Sequence, residues 1–176
     1  MFISINLKIR LVILRYYQFP NTDIINARHN GAPLFFDPKK IWKNEEGVKA
    51  INLGVRTVYH ATTRESVESI LNDQFLKPGS HGMFGPGIYF AATPFISKMK
   101  CTHIHRSIDA YILCEVDFGN ALILEKPDTS LTLDSVKQHG SNSILGRSEV
   151  GKNWELVVYE SKRVTPTKLI CLKKMD

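Results

Sequence analysis

Glu155 opens the run Leu156-Val157-Val158-Tyr159, so a strand heading for the interior would set a carboxylate beside apolar neighbours. An unpaired charge in that setting is expensive. Such a group either pairs with a nearby Lys or Arg, or serves in a reaction. His60, at the end of Thr57-Val58-Tyr59-His60, is open to the same two readings. Between them lies the loop Gly82-Met83-Phe84-Gly85-Pro86-Gly87. It has neither the GxGxxG order of a dinucleotide turn nor the Lys-Ser/Thr ending of a P-loop. It is either a tight turn or a place where missing side chains let a ligand approach the backbone. Cys101-Thr102-His103-Ile104-His105, with Cys114 beyond, holds metal-ligand types without the paired C-x2-4-C and H-x3-5-H spacings of structural zinc. No metal is expected. There is no G-x-S-x-G elbow and no cysteine in a known nucleophile signature, so acyl-transfer chemistry lacks a centre.

The elements that must position these residues follow from periodicity. Residues 57–60 read as a short strand, and Thr62 with Glu65 makes a capping box before Val67, Ile70 and Leu71 at helical spacing. A strand therefore enters a helix at His60. Glycines 79, 82, 85 and 87 punctuate a loop that runs into the apolar Ile88-Tyr89-Phe90-Ala91. Thr93-Pro94 then supplies the cap and first-turn proline of another helix. Residues 111–118, 122–124, 155–159 and 169–172 are short runs rich in Ile, Val, Leu and Tyr, bounded by turns, and read as strands. Near the start, Ile3, Ile5, Leu7, Ile9 and Leu11 alternate with polar residues, the period of a half-buried strand. From residue 19 to 46 turn signals succeed one another with little sustained pattern. The expected division is a lead-in or extension over residues 1–46 and one domain over 47–176, of class α+β with the sheet dominant.

Composition sets the outer bounds. At 176 residues, 43% hydrophobic and 23% charged, the chain suits one soluble core and is too short for two full domains. Residues 1–56 carry nine Lys/Arg against four Asp/Glu, residues 57–150 eight against ten, and residues 151–176 six against three. The net charges are thus +5, −2 and +3, and the basic excess sits at the ends. A contiguous basic patch would attract nucleic acid or an acidic partner, whereas scattered lysines are a solvated surface. The stretch 2–17 is interrupted by Lys8, Arg10 and Arg15, so neither a membrane span nor the apolar core of a signal peptide is expected. Three scattered cysteines suit reduced thiols and an intracellular compartment better than a disulfide framework.

In chain order, Tyr59-His60-Ala61-Thr62, the stretch Gly82 through Ala91, Ser97 and Glu155-Leu156-Val157-Val158-Tyr159 resemble the catalytic domain of the poly(ADP-ribose) polymerase family in both order and spacing. The resemblance covers roughly residues 56–172, and its ten-residue centre is especially similar to the tankyrase members. It implies an ADP-ribosyltransferase fold: two packed, mostly antiparallel sheets with few helices around an NAD cleft. It also implies NAD as co-substrate, with no metal, and a triad of His60, Tyr89 and Glu155. By resemblance, His60 hydrogen-bonds the adenosine-side ribose and Tyr89 stacks on the nicotinamide ring. Ala61 holds the carboxamide through its backbone with help from Ser97, and Thr62 and Lys77 face the adenosine. Gly87, Phe90 and Ala91 belong to the same NAD-binding stretch.

The chemistry makes independent sense of these types. Loss of nicotinamide leaves an oxocarbenium-like sugar that a buried carboxylate can stabilise, much as in glycoside hydrolysis. The chain departs from the family pattern at Ala61, where Gly is usual. Lys100 falls where a second stacking Tyr is expected, and Ile96 where a Lys commonly precedes the Ser. The changes at Lys100 and Ile96 favour transfer of single ADP-ribose units, and the expected acceptor is a protein. The alternatives are transfer to nucleic-acid ends or phosphates, and a silent module that binds NAD or a partner.

Overall fold

The computed structural model describes residues 37–73, 76–93, 110–148 and 153–171. The alternating run 3–11, the helix expected after Thr93-Pro94 and the Cys/His run at 101–105 lie outside them, as do Ser97, Ile96 and Lys100. Among the described residues nine strands and two α-helices follow in the order β1 (Ile41–Lys43), β2 (Lys49–Asn52), β3 (Val55–Thr62), α1 (Arg64–Asp73), β4 (Ile88–Phe90), β5 (Ala110–Asp117), β6 (Asn120–Leu124), α2 (Leu133–Gln138), β7 (Ser143–Arg147), β8 (Trp154–Val158) and β9 (Val164–Cys171). They build a six-stranded sheet ordered β1-β2-β6-β7-β8-β4 and a three-stranded sheet ordered β3-β5-β9. All pairs are antiparallel except β6 with β7. A parallel pair cannot be closed by a hairpin, and the connection between β6 and β7 carries α2. The α+β class and the two-sheet arrangement are those expected.

Alternation along the strands divides the interior in two. Val58, Ile112, Cys114, Val116 and Phe118 pack against Ile51, Ile88, Phe90, Ile123, Leu145, Leu156 and Val158, and this cluster fills the space between the sheets. On the other face of the six-stranded sheet Leu122, Ile144, Val157 and Tyr159 gather with Phe84, Leu131 and Val136, with Tyr89 packed against them. β4 and β8 thus contribute to both clusters, odd and even residues to opposite faces.

Three local features differ from the sequence expectation. The strand at His60 runs on through Thr62, paired residue for residue with β5, which moves the helix cap to Thr63. There the Ser66 N–H donates to Thr63 Oγ1 at 3.4 Å and the two hydroxyls lie 3.1 Å apart, so the capping pair is Thr63 with Ser66 rather than Thr62 with Glu65. Within the turn-rich stretch, β1 pairs with β2 and extends the larger sheet by one edge strand. The short α2 begins with a capping box of Thr132 and Ser135, a pair that a search for Glu or Gln at the third helical position passes over.

Candidate active site

β3, β4 and β8 lie side by side in space although the first and last are almost a hundred residues apart in the chain. β4 is laid antiparallel on β8 with Tyr89 opposite Val157 and Phe90 opposite Leu156. Its far end meets β3 at a single bridge, where Tyr59 and Ala91 exchange two N–H···O bonds of 2.9 Å. The two sheets are joined at that bridge, and it sets His60 beside β4. Ala91 and Phe90 are buried, so this joint is dry.

His60 is half-buried, with Nδ1 2.9 Å from the Tyr89 carbonyl and its ring edge-on to Phe90 at 5.8 Å. A carbonyl can only accept, so Nδ1 carries the hydrogen and donates it. Burial holds the imidazole below its ordinary pKa of 6.5, against the opposing pull of the carbonyl. A neutral ring with Nδ1 protonated leaves Nε2 as an acceptor, a suitable partner for a ribose hydroxyl.

Tyr89 and Glu155 share the outer face of the larger sheet, because Tyr89 pairs with Val157 and Glu155 is two residues before it. Glu155 is only 4% exposed and lies opposite Gly146 of β7. Burial pushes the Tyr89 phenol up to about 12; the hydrogen bond from the Phe84 N–H opposes this and the charge of Glu155 adds to it. The phenol is therefore a neutral donor. Its O–H donates to the Gly85 carbonyl at 2.7 Å and its oxygen accepts from the Phe84 N–H at 2.9 Å.

Those bonds fold the glycine loop back onto Tyr89. Gly85 sits at φ +76°, where a Cβ would collide with the Leu131 carbonyl, and a Cβ at Gly82 would collide with the Tyr89 ring itself. Gly87, buried, accepts from the Gly79 N–H at 3.0 Å, and any side chain there would strike Val157. From the other side the Asp128 N–H donates to the Met83 carbonyl at 2.9 Å. The turn and ligand-approach readings of this loop are thus compatible: it is a turn, packed so closely that its backbone borders Tyr89.

Of the residues singled out by sequence, His60, Tyr89, Ala91 and Glu155 converge on the β3–β4–β8 junction. Ala61, half-buried, and Thr62, buried, end β3. The Phe90 side chain faces the inter-sheet core and touches the site through His60. Lys77 is exposed in the connection between α1 and β4. Sequence reasoning did not single out Gly82, Phe84, Gly146 or Tyr159 as site residues. Tyr159 had a usable signal, since four residues after Glu155 on a strand is the same face. Among the described residues no group of three or more His, Cys, Asp or Glu is placed to hold a metal ion, and no helix is long and apolar enough to cross a membrane.

The family model described as the poly(ADP-ribose) polymerase catalytic domain matches residues 19–174. No curated protein matches the chain significantly.

Proposed function

The chain belongs to the poly(ADP-ribose) polymerase catalytic-domain family, whose members use NAD as the donor of ADP-ribose, and from that premise we propose an active transferase that releases nicotinamide and attaches single ADP-ribose units to a protein side chain. The observation that carries this is a carboxylate 4% exposed, Glu155, on the strand beside Tyr89, whose carbonyl in turn orients His60 at 2.9 Å.

In this reading His60 Nε2 accepts from a hydroxyl of the adenosine-side ribose, and the Tyr89 ring forms one wall for nicotinamide, supplying orientation and excluding water. Ala61 offers its backbone to the carboxamide and Ser97 its hydroxyl, while Thr62 and Lys77 face the adenosine. The glycosidic bond to nicotinamide breaks with its electron pair leaving on the ring nitrogen. Positive charge then develops at the ribose, where the Glu155 carboxylate stabilises it. The acceptor nucleophile forms the new bond to the same carbon and gives up its proton to water. The Lys100 and Ile96 positions, where a second stacking Tyr and a Lys are usual, favour one round of transfer over chain elongation.

The test is incubation of the protein and a Glu155→Gln variant with labelled NAD and a cell extract, following nicotinamide release and label on protein and on nucleic acid separately. We expect label on protein with wild type. The variant should release nicotinamide about 10²–10³-fold more slowly while binding NAD nearly as well, because the lost interaction is made chiefly in the transition state. Label on nucleic acid alone would reassign the acceptor, and binding without release from either protein would leave an NAD-binding module.

A further inference from the structure

The outer face that carries Glu155 holds a second polar group, the phenol of Tyr159. Tyr159 follows β8 directly, is 8% exposed, and donates its O–H to the Phe84 carbonyl at 2.5 Å. The Phe84 N–H donates to Tyr89 Oη at 2.9 Å, and the Tyr89 O–H in turn donates to the Gly85 carbonyl at 2.7 Å. Both backbone polar groups of Phe84 are thus held by tyrosines, one on β4 and one directly after β8. The Phe84 ring completes the attachment. It fills the space over Gly146, where any Cβ would collide with it, and Gly146 is the β7 residue directly opposite Glu155. The loop is latched to the strand that carries Glu155 at one point and to the residue facing Glu155 at another. Burial lifts the Tyr159 phenol far above its ordinary value, with the nearby Tyr89 and Asp128 adding to it, so it remains a donor throughout the neutral range.

From this geometry we infer that Tyr159 is a positioning residue for the donor site: its O–H sets the glycine loop against the strand of Glu155 and, through the backbone of Phe84, holds the Tyr89 ring in place. The inference rests on the reading that Tyr89 lines the nicotinamide pocket, and it extends that reading to a residue that touches no substrate. A hydrogen bond to a buried carbonyl is costly to leave unmade, and Tyr159→Phe removes that one oxygen while keeping the ring that packs with Val157 and Phe84.

The experiment measures NAD binding and the kinetics of nicotinamide release for wild type, Tyr159→Phe, Tyr89→Phe and the double variant. Val116→Ala, in the inter-sheet core far from the loop, serves as a reference for a loss of stability alone. We expect Tyr159→Phe to raise the KM for NAD about fivefold to tenfold with kcat within about threefold of wild type. Val116→Ala should lower Tm without moving KM. Because both hydroxyls act through the backbone of one residue, Phe84, the double variant should raise KM by less than the product of the single effects. An unchanged KM in Tyr159→Phe, or fully multiplicative effects, overturns the positioning role while leaving the donor site standing. Failure of wild type to bind NAD overturns the donor-site reading, and this inference with it.

Discussion

At the scale of single residues, the neutral state of His60 has a measurable consequence. Burial keeps its folded pKa below 6.5, so on acidification the unfolded chain takes up a proton before the folded one does. Its contribution to stability is whole above pH about 6.5 and is lost as pH falls through the folded value. Urea midpoints of wild type should therefore drop between about pH 7.5 and pH 5.5 more steeply than those of His60→Asn; parallel slopes would show that His60 is not held neutral. Burial likewise pushes the Cys114 thiol up to about 12, which suits a core thiol and fits the absence of a cysteine nucleophile signature in the sequence. His60 and Glu155 were recognisable by type, and the family pattern joined them. The direct partner of His60 was not recognisable, since it is a backbone carbonyl and every residue has one.

At the scale of elements, the glycine loop works through what it lacks. Gly82 lies against the Tyr89 ring, and that ring is pinned by two hydrogen bonds at its hydroxyl, so it cannot swing aside to admit a methyl group. Gly82→Ala should destabilise the protein by about 1–3 kcal/mol and weaken NAD binding. Gly79→Ala is the control, because its Cβ would meet only carbonyl oxygens at 3.5 Å, an ordinary contact, with no positive φ. Thermal melts and NAD titrations of the two variants check this, and equal behaviour would mean that the loop is not packed on Tyr89. The longer strands announced themselves through runs of Ile, Val, Leu and Tyr. β1, β2 and β7 did not: the first two are only three and four residues long, with Lys49 opening β2, and the apolar run of β7 is interrupted by Gly146. They exist because neighbouring strands complete their hydrogen bonds, which local propensity does not register.

At the scale of the molecule, the site depends on a core shared by both sheets. Phe118 is fully buried between them and stands edge-on to Phe90 at 6.1 Å, and Phe90 stands edge-on to His60 at 5.8 Å. A line of three rings therefore runs from the middle of the molecule to the site. Phe118→Ala should cost about 3–5 kcal/mol in denaturant unfolding, a large part of the stability of a domain this size. A loss below about 1 kcal/mol would mean that the inter-sheet core can close over the missing ring.

The sequence by itself determined the residue types, their order and the face of each strand on which they fall. A period of two settles which side chains point together whatever the strand pairs with, and the glycines declare where the backbone must turn closely. Only the tertiary structure decided that β4 lies between β8 and the end of β3, that Tyr89 and Tyr159 hold the two backbone polar groups of Phe84, and that Gly146 faces Glu155. Those are pairings between segments tens of residues apart. Each is chosen by how much apolar surface the whole set of strands can bury together, and no window of sequence contains that sum.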